Sequence, residues 1–287
     1  MTKFKLSFEV VLSAVLGYFF VAESNWSWRA LILIAIGGTF LTCASIATNQ
    51  IWERKLDAMM NRTQSRPLPS GRISVTEAVI AVIVFLTIGL VSMWMINFNT
   101  FWLGILSYVS YAFIYTPLKR TNSIAVFVGA FPGALPPLIG AVAAQNAFTF
   151  EGGILFFIQF VWQFPHFWAI AWYADEDYSR AGFKLLPFNS GKSKANAMMN
   201  VVYCFFLILF TCVPWLYGLT GTWSLVIGAV CAVLFFLSAV KLYFSLDDKD
   251  AKMLMFASFF YLPIVQIVLV LDKIPQTAKE QIIQLVH

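Results

Sequence analysis

Charge is what this sequence has least of. Only 11% of its 287 residues are Asp, Glu, Lys or Arg, where a soluble domain carries roughly a quarter. That deficit excludes an ordinary water-soluble fold. Cysteine is scarce too. Cys43, Cys204, Cys212 and Cys231 all lie in apolar runs without a CxxC spacing, which excludes a disulfide framework or zinc site and leaves them as small buried hydrophobes. Of two histidines, only His166 falls inside an apolar run. No low-complexity tract or separate soluble segment interrupts the chain, so residues 1–287 are expected to form a single membrane-embedded domain. Lys3 and Lys5 precede the first apolar run, but no convincing small-residue cleavage site follows. The run reads as a spanning helix, not a signal peptide.

What fills the sequence is apolar: 60% hydrophobic and 17% aromatic residues, with a mean hydropathy of +0.78. Runs of about 18–22 apolar residues recur, each long enough to span a bilayer as a helix. Nine spans are expected, near 7–22, 29–48, 75–96, 99–117, 123–143, 152–174, 198–218, 223–244 and 252–271. The fold class is therefore all-α, a polytopic membrane protein of about nine transmembrane helices. Lys3, Lys5, Arg54, Lys55, Arg62, Arg66, Arg72, Lys119, Arg120, Arg180, Lys184, Lys192, Lys194, Lys241, Lys249 and Lys252 fall on one side of this alternation. Only Arg29, Lys273 and Lys279 fall on the other. The positive-inside rule makes the basic side cytoplasmic, with the N-terminus there and the C-terminus opposite. The net charge of +5 thus reflects membrane orientation, and no nucleic-acid partner is expected. The long polar loops 49–74 and 175–197 both lie on the basic side, which is where chemistry is expected to open.

The densest polar stretch is NQIWERKLDAMMNRTQSRPLPSG, Asn49 to Gly71. Asn49, Glu53 and Asp57 recur every fourth residue, so a helix would line them along one face. A ladder of hard oxygen ligands suits Mg²⁺, which is usually shared with substrate phosphates. Arg62 and Arg66 continue the interval after one step of five, and arginine forks bind phosphate oxygens. The bland alternative is a solvated loop of Glu, Asp, Arg and Lys pairs. It loses ground because the cluster directly continues an apolar span, where carboxylates are costly.

Three later stretches add to this one. In YTPLKRTNS, Tyr115–Ser123, Lys119 and Arg120 read either as a second grip on a diphosphate or as ordinary topology determinants. FPGALPPLIG carries Pro132, Pro136 and Pro137 inside a span, and a bent helix widening a cavity is the expectation. WQFPHFWAIAWYADEDYSRAG, Trp162–Gly182, holds His166 among aromatics and ends in Tyr173, Asp175, Glu176, Asp177 and Tyr178. A lone intramembrane histidine is more often packed than functional. Its setting beside Gln163 and Pro165 favours a ligand-facing role. The acids form a second site on the same side as the first. Most of the aromatic rings read as lipid contacts and interfacial belts.

Asn49-x₃-Glu53-x₃-Asp57 followed by Met60-Asn61-Arg62-Thr63 and Arg66-Pro67-Leu68 resembles the signature of the intramembrane, UbiA-type prenyltransferase superfamily. Within it, MNRTQSRPL, YTPLKRTNS, GAFPGALPPLIG and WQFPHFWAIAW–DYSRAG are similar to the protohaem IX farnesyltransferases, or haem O synthases, from about residue 10 to 270. The resemblance implies helices around a central cavity and Mg²⁺ dependence. It also implies transfer of a farnesyl group from farnesyl diphosphate to a vinyl group of haem B, with water addition. It implies metal ligation by Asn49, Glu53 and Asp57 with Asp177, or its rival Asp175. Arg62, Arg66, Lys119 and Arg120 would grip the diphosphate, and His166, Tyr173 and Tyr178 would contact substrate. Two departures stand out: Glu53 where many members have Asp, and crowded acids at 175–177 in place of two Asp four apart. A bacterial inner membrane is the implied location. A haem A synthase or terminal oxidase assembly is a partner expected from pathway logic only. Two other readings share features: an aromatic or quinone-precursor prenyltransferase, which the PHF segment argues against, and a non-catalytic haem transporter. A transporter would more typically show paired broken helices in two repeats.

Overall fold

The computed structural model describes residues 4–23 and 25–275. Two of the basic residues that set the expected orientation, Lys3 and Lys279, lie outside the described residues. Every long element is a helix. In chain order they are α1 (Phe4–Ala22), α2 (Trp28–Asp57), α3 (Val75–Trp94), α4 (Phe98–Val109), a π-helical segment (Ser110–Tyr115), α5 (Thr116–Leu118), α6 (Ala125–Gln145), α7 (Phe150–Tyr173), α8 (Asp175–Arg180), α9 (Lys194–Leu216), α10 (Thr222–Ser245) and α11 (Asp248–Leu271). Eight of these stretches are long and apolar enough to cross a bilayer, with Phe98–Leu118 counted as one, and Leu6–Ala22 is a shorter apolar helix. The expected polytopic all-α architecture is present.

Outward faces are apolar, as lipid contact requires. Ile80, Ile83, Trp94, Phe244 and Phe260 are all exposed. The polar chemistry of the core lies at its centre. The ring of Pro137 removes the backbone N–H that would bond Gly133 in a regular helix. The freed Gly133 carbonyl instead accepts from Gln159 Nε2 at 2.7 Å and Gln163 Nε2 at 3.0 Å. Gln159 Oε1 in turn accepts from Ser13 Oγ and from Gln266 Nε2. One amide network therefore joins α1, α6, α7 and α11. All three prolines of α6 are buried, and the helix runs unbroken through them. Pro137 leaves the Gly133 carbonyl free for α7. A Cβ on Gly140 would fall on the Ala14 carbonyl oxygen, and one on Gly17 would fall on that of Pro137, both well inside van der Waals contact. Backbone contact between α1 and α6 thus depends on these two glycines.

The span expected at 29–48 does not stop there. Helix α2 continues nine residues further, to Asp57, and so carries the oxygen ladder as rigid helix. Arg62 and Arg66 do not continue it, because the chain turns from Ala58 onward. At the far side of the site, α4 passes through a π-helical turn, a feature common where a helix face must be re-aimed. The Thr116 N–H bonds the Tyr111 carbonyl there. Thr116 and Lys119, just beyond this turn, contact α2.

Candidate active site

Asn49, Glu53 and Asp57 lie along one face of α2 and are all buried. Each has a polar partner from another segment. Asn49 Nδ2 donates to Thr116 Oγ1 at 3.2 Å. Lys119 Nζ stands 2.6 Å from Glu53 Oε1. That contact is an ion pair without hydrogen-bond alignment, so the buried Glu53 oxygen has charge compensation but no aligned donor. Arg66 Nη1 reaches both Asp57 oxygens, at 2.9 and 2.8 Å. Thr63 Oγ1 donates to the Asp57 carbonyl, closing the turn that returns Arg66 to the helix end.

The second acidic stretch meets this loop through one of its acids. Asp177 accepts the backbone N–H groups of Asn61 and Arg62, both at 3.3 Å. Arg62 Nη2 donates to Tyr178 Oη at 2.8 Å, with its guanidinium also over the ring. Below, Met60, Ala181 and Phe183 form a small apolar cluster with Leu56 and Tyr178 packed on it. Loops 58–74 and 174–193 are thereby clasped over the end of α2. Asp175 and Tyr173 are not brought here. Burial raises the Asp175 carboxyl above its usual range, with Asp248 and Glu176 adding to the effect and Lys192 opposing it. Tyr173 is exposed and lies beneath Lys252. Glu176 is solvent-facing, with Arg180 nearby. Of the two rivals in this stretch, it is Asp177 that lies beside the ladder's loop.

A cavity of about 350 Å³ opens between these parts, walled by Trp52, Glu53, Thr116, Arg120, Thr121 and Gly182 among others. It is at the low end of small-molecule sites and is bordered by a carboxylate and an arginine. A row of aromatic contacts runs from Lys119 toward His166. Lys119 Nζ lies 4.9 Å over the Tyr115 ring, Tyr115 is 6.4 Å from Phe167, and Phe167 is 5.7 Å from His166. His166 is buried, stacked on Trp162 at 4.4 Å and edge-on to Phe259 at 5.0 Å. Its Nδ1 is 2.7 Å from Ser258 Oγ. The single Ser258 hydroxyl proton goes to the Met255 carbonyl, so Ser258 accepts and Nδ1 is the donor. A neutral imidazole in that tautomer leaves Nε2 with its lone pair.

Residues 10–262 match the model of the UbiA prenyltransferase family. The chain belongs to the UbiA prenyltransferase family. A protoheme IX farnesyltransferase of Cytophaga hutchinsonii is 46% identical over 275 residues, spanning 96% of both chains. Among solved structures, that of a digeranylgeranylglyceryl phosphate synthase superposes with a TM-score of 0.78 at 19% identity, over 93% of this chain and 94% of the other. A UbiA homologue from Archaeoglobus fulgidus bound to GPP and Mg²⁺ gives 0.63 at 17% identity, over 92% and 98%.

The fit of Mg²⁺ to a UbiA-type site can be judged on this donor set. Among the described residues, no three His, Cys, Asp or Glu side chains converge on one point. The oxygens that do gather are of the hard type Mg²⁺ prefers, and that ion usually completes its shell with water and substrate phosphate. The Glu53 oxygen without an aligned donor is the kind of atom such an ion satisfies. The donor set fits. The sequence pattern marks Asn49, Glu53, Asp57, Arg62, Arg66, Lys119, Arg120, Asp177 and Tyr178, which the fold gathers at one mouth. It does not single out Thr116, although that residue stands inside the marked YTPLKRTNS stretch. Ser258 carries no signal at all, because a lone serine in an apolar run has no pattern.

Proposed function

We propose that this protein transfers a farnesyl group from farnesyl diphosphate to a vinyl group of haem B, with addition of water, giving haem O and diphosphate. The observation carrying this reading is one continuous arrangement: buried carboxylates and basic side chains at the mouth, joined by Tyr115 and Phe167 to a histidine with a free ring nitrogen. The name borne by the Cytophaga relative agrees with it. Asn49, Glu53, Asp57 and Asp177 would hold Mg²⁺, which when bound offsets charge on the diphosphate oxygens. Lys119 and Arg66, paired with Glu53 and Asp57, would supply positive charge beside the leaving group. Arg62 and Arg120 add positive charge around it, and such aimed electrostatics are usually the largest catalytic contribution. The aromatic faces of Tyr115 and Phe167 steady the allylic cation. His166 orients the haem through Nε2.

The cytoplasmic side of a bacterial inner membrane is the proposed position of the mouth, with residues 1–287 acting as one catalytic domain. A haem A synthase or oxidase assembly would consume the product. The deciding experiment incubates purified protein with haem B, farnesyl diphosphate and Mg²⁺ and follows haem mass. Gain of farnesyl plus water is expected. A haem mass that never changes, or prenylation of an added phenolic acceptor instead, overturns the assignment.

A further inference from the structure

The π-helical turn at the end of α4 loads two hydrogen bonds onto one carbonyl. The Tyr111 carbonyl accepts the backbone N–H of Thr116 and also its hydroxyl, Oγ1 standing 2.8 Å away. A threonine bonded back to its own helix is common and by itself means little. The consequence here lies on the other side of the hydroxyl. A hydroxyl has one proton to give and two lone pairs to offer. With the proton on Tyr111, Thr116 Oγ1 can only accept from α2. The α2 group that meets it, at 3.2 Å, is the Asn49 amide. An asparagine amide can present either end, its NH₂ donor or its carbonyl acceptor, and the hydrogen-bond network decides which. Thr116 makes that choice. Nδ2 faces the threonine, so Oδ1 is turned away from it. Both residues are buried, which leaves Thr116 as the acceptor that holds the amide. Among the described residues no donor engages Asn49 Oδ1, yet this oxygen is not one of the buried atoms sealed in without a partner. It is open to a ligand. Glu53, one turn along the same face of α2, walls the mouth cavity together with Thr116.

We propose that Thr116 is a positioning residue for the metal site: its hydroxyl, committed by the π-helical turn to accepting, holds the Asn49 amide with Oδ1 presented to Mg²⁺. The proposal rests on the reading of Asn49 as a ligand given above. Only the carbonyl end of an amide suits a hard cation. The NH₂ end has protons where the ion needs a lone pair, so a half-turn of the amide removes one ligand from the ladder. Thr116 is not itself a ligand in this arrangement, because its proton is on Tyr111 and a lone pair is on Asn49. Fixing a ligand through its second polar atom is the usual way in which outer-shell partners tune a metal site.

The test measures metal binding directly, on the full-length protein in detergent. Mn²⁺ serves as the probe in place of Mg²⁺, and binding is read from loss of the free-ion electron paramagnetic resonance signal. Thr116→Val keeps the branched shape and removes the hydroxyl. Its Mn²⁺ dissociation constant should rise about 10–100-fold, the usual result of losing an outer-shell partner. Thr116→Ser keeps the hydroxyl and should bind Mn²⁺ close to the native level. Thr116→Ala makes the same comparison if the valine protein does not fold. Asn49→Asp places two equivalent oxygens at position 49, so orientation ceases to matter. Adding Thr116→Val in that background should therefore cost little further affinity. Native Mn²⁺ affinity in Thr116→Val, equal losses in Thr116→Ser and Thr116→Val, or a full valine loss that persists beside Asn49→Asp would each overturn the proposal. A native chain that binds no Mn²⁺, or an Asn49→Ala protein that binds it as the native chain does, overturns the reading of Asn49 as a ligand and this proposal with it.

Discussion

Removing Arg66 tests whether the ladder's end is an electrostatic device or a passive turn. Asp57 is fully buried and its carboxylate is met by Arg66 Nη1 on both oxygens, while the Arg66 side chain is 20% exposed. Truncating one partner of a fully buried pair costs about 3–5 kcal/mol. Partial exposure of Arg66 screens the interaction, which places Arg66→Ala near or just below the bottom of that range, at about 2–3 kcal/mol. Asp57→Asn should cost less, since an amide can still accept from the guanidinium. In the double variant the stranded charge is gone, so the two losses should not add, and coupling of about 1–2 kcal/mol is expected. The assay is the unfolding midpoint of the four proteins in one detergent, with farnesyl diphosphate affinity measured alongside. Arg66→Ala should weaken diphosphate binding more than haem binding. Additive losses in the cycle, or equal weakening toward both substrates, would refute the assigned role.

Three further perturbations act on other contacts. Gly140→Ala places a methyl where the Ala14 carbonyl oxygen already stands, and should destabilise the protein by at least about 1–3 kcal/mol, read as a lowered thermal midpoint. Ser258→Ala removes the acceptor that fixes the His166 tautomer, so the haem absorption spectrum of the loaded protein should shift while diphosphate affinity holds. Chelation of divalent metal should stop turnover, and restoring Mg²⁺ should return it in the native chain but not in Asp57→Ala.

Most of the mouth is legible in the sequence because its chemistry is local. Asn49, Glu53 and Asp57 share a helix face by spacing alone, and a helix needs no tertiary information to present every fourth residue. Arg62 and Arg66 are legible as residues but not as geometry. Their interval extends the ladder on paper, whereas the chain turns after Asp57, and it is the Thr63 hydroxyl on the Asp57 carbonyl that bends Arg66 back. The acids at 175–177 illustrate a different limit. Adjacent carboxylates look equivalent in sequence, but the short α8 helix points Asp177 at the Asn61 and Arg62 amides while Asp175 lies among Lys192, Asp248 and Glu176. Least legible is the interior. Ser13, Gln159 and Gln266 are single polar residues in separate apolar runs, up to 253 positions apart. Each alone looks like a tolerated exception. Only when Pro137 frees the Gly133 carbonyl, and four helices meet around it, do they become one network. An interior polar residue in such a chain is therefore best read through the partner its neighbours leave unsatisfied: Gln159 is where it is because a proline one helix away has left a carbonyl that lipid cannot solvate.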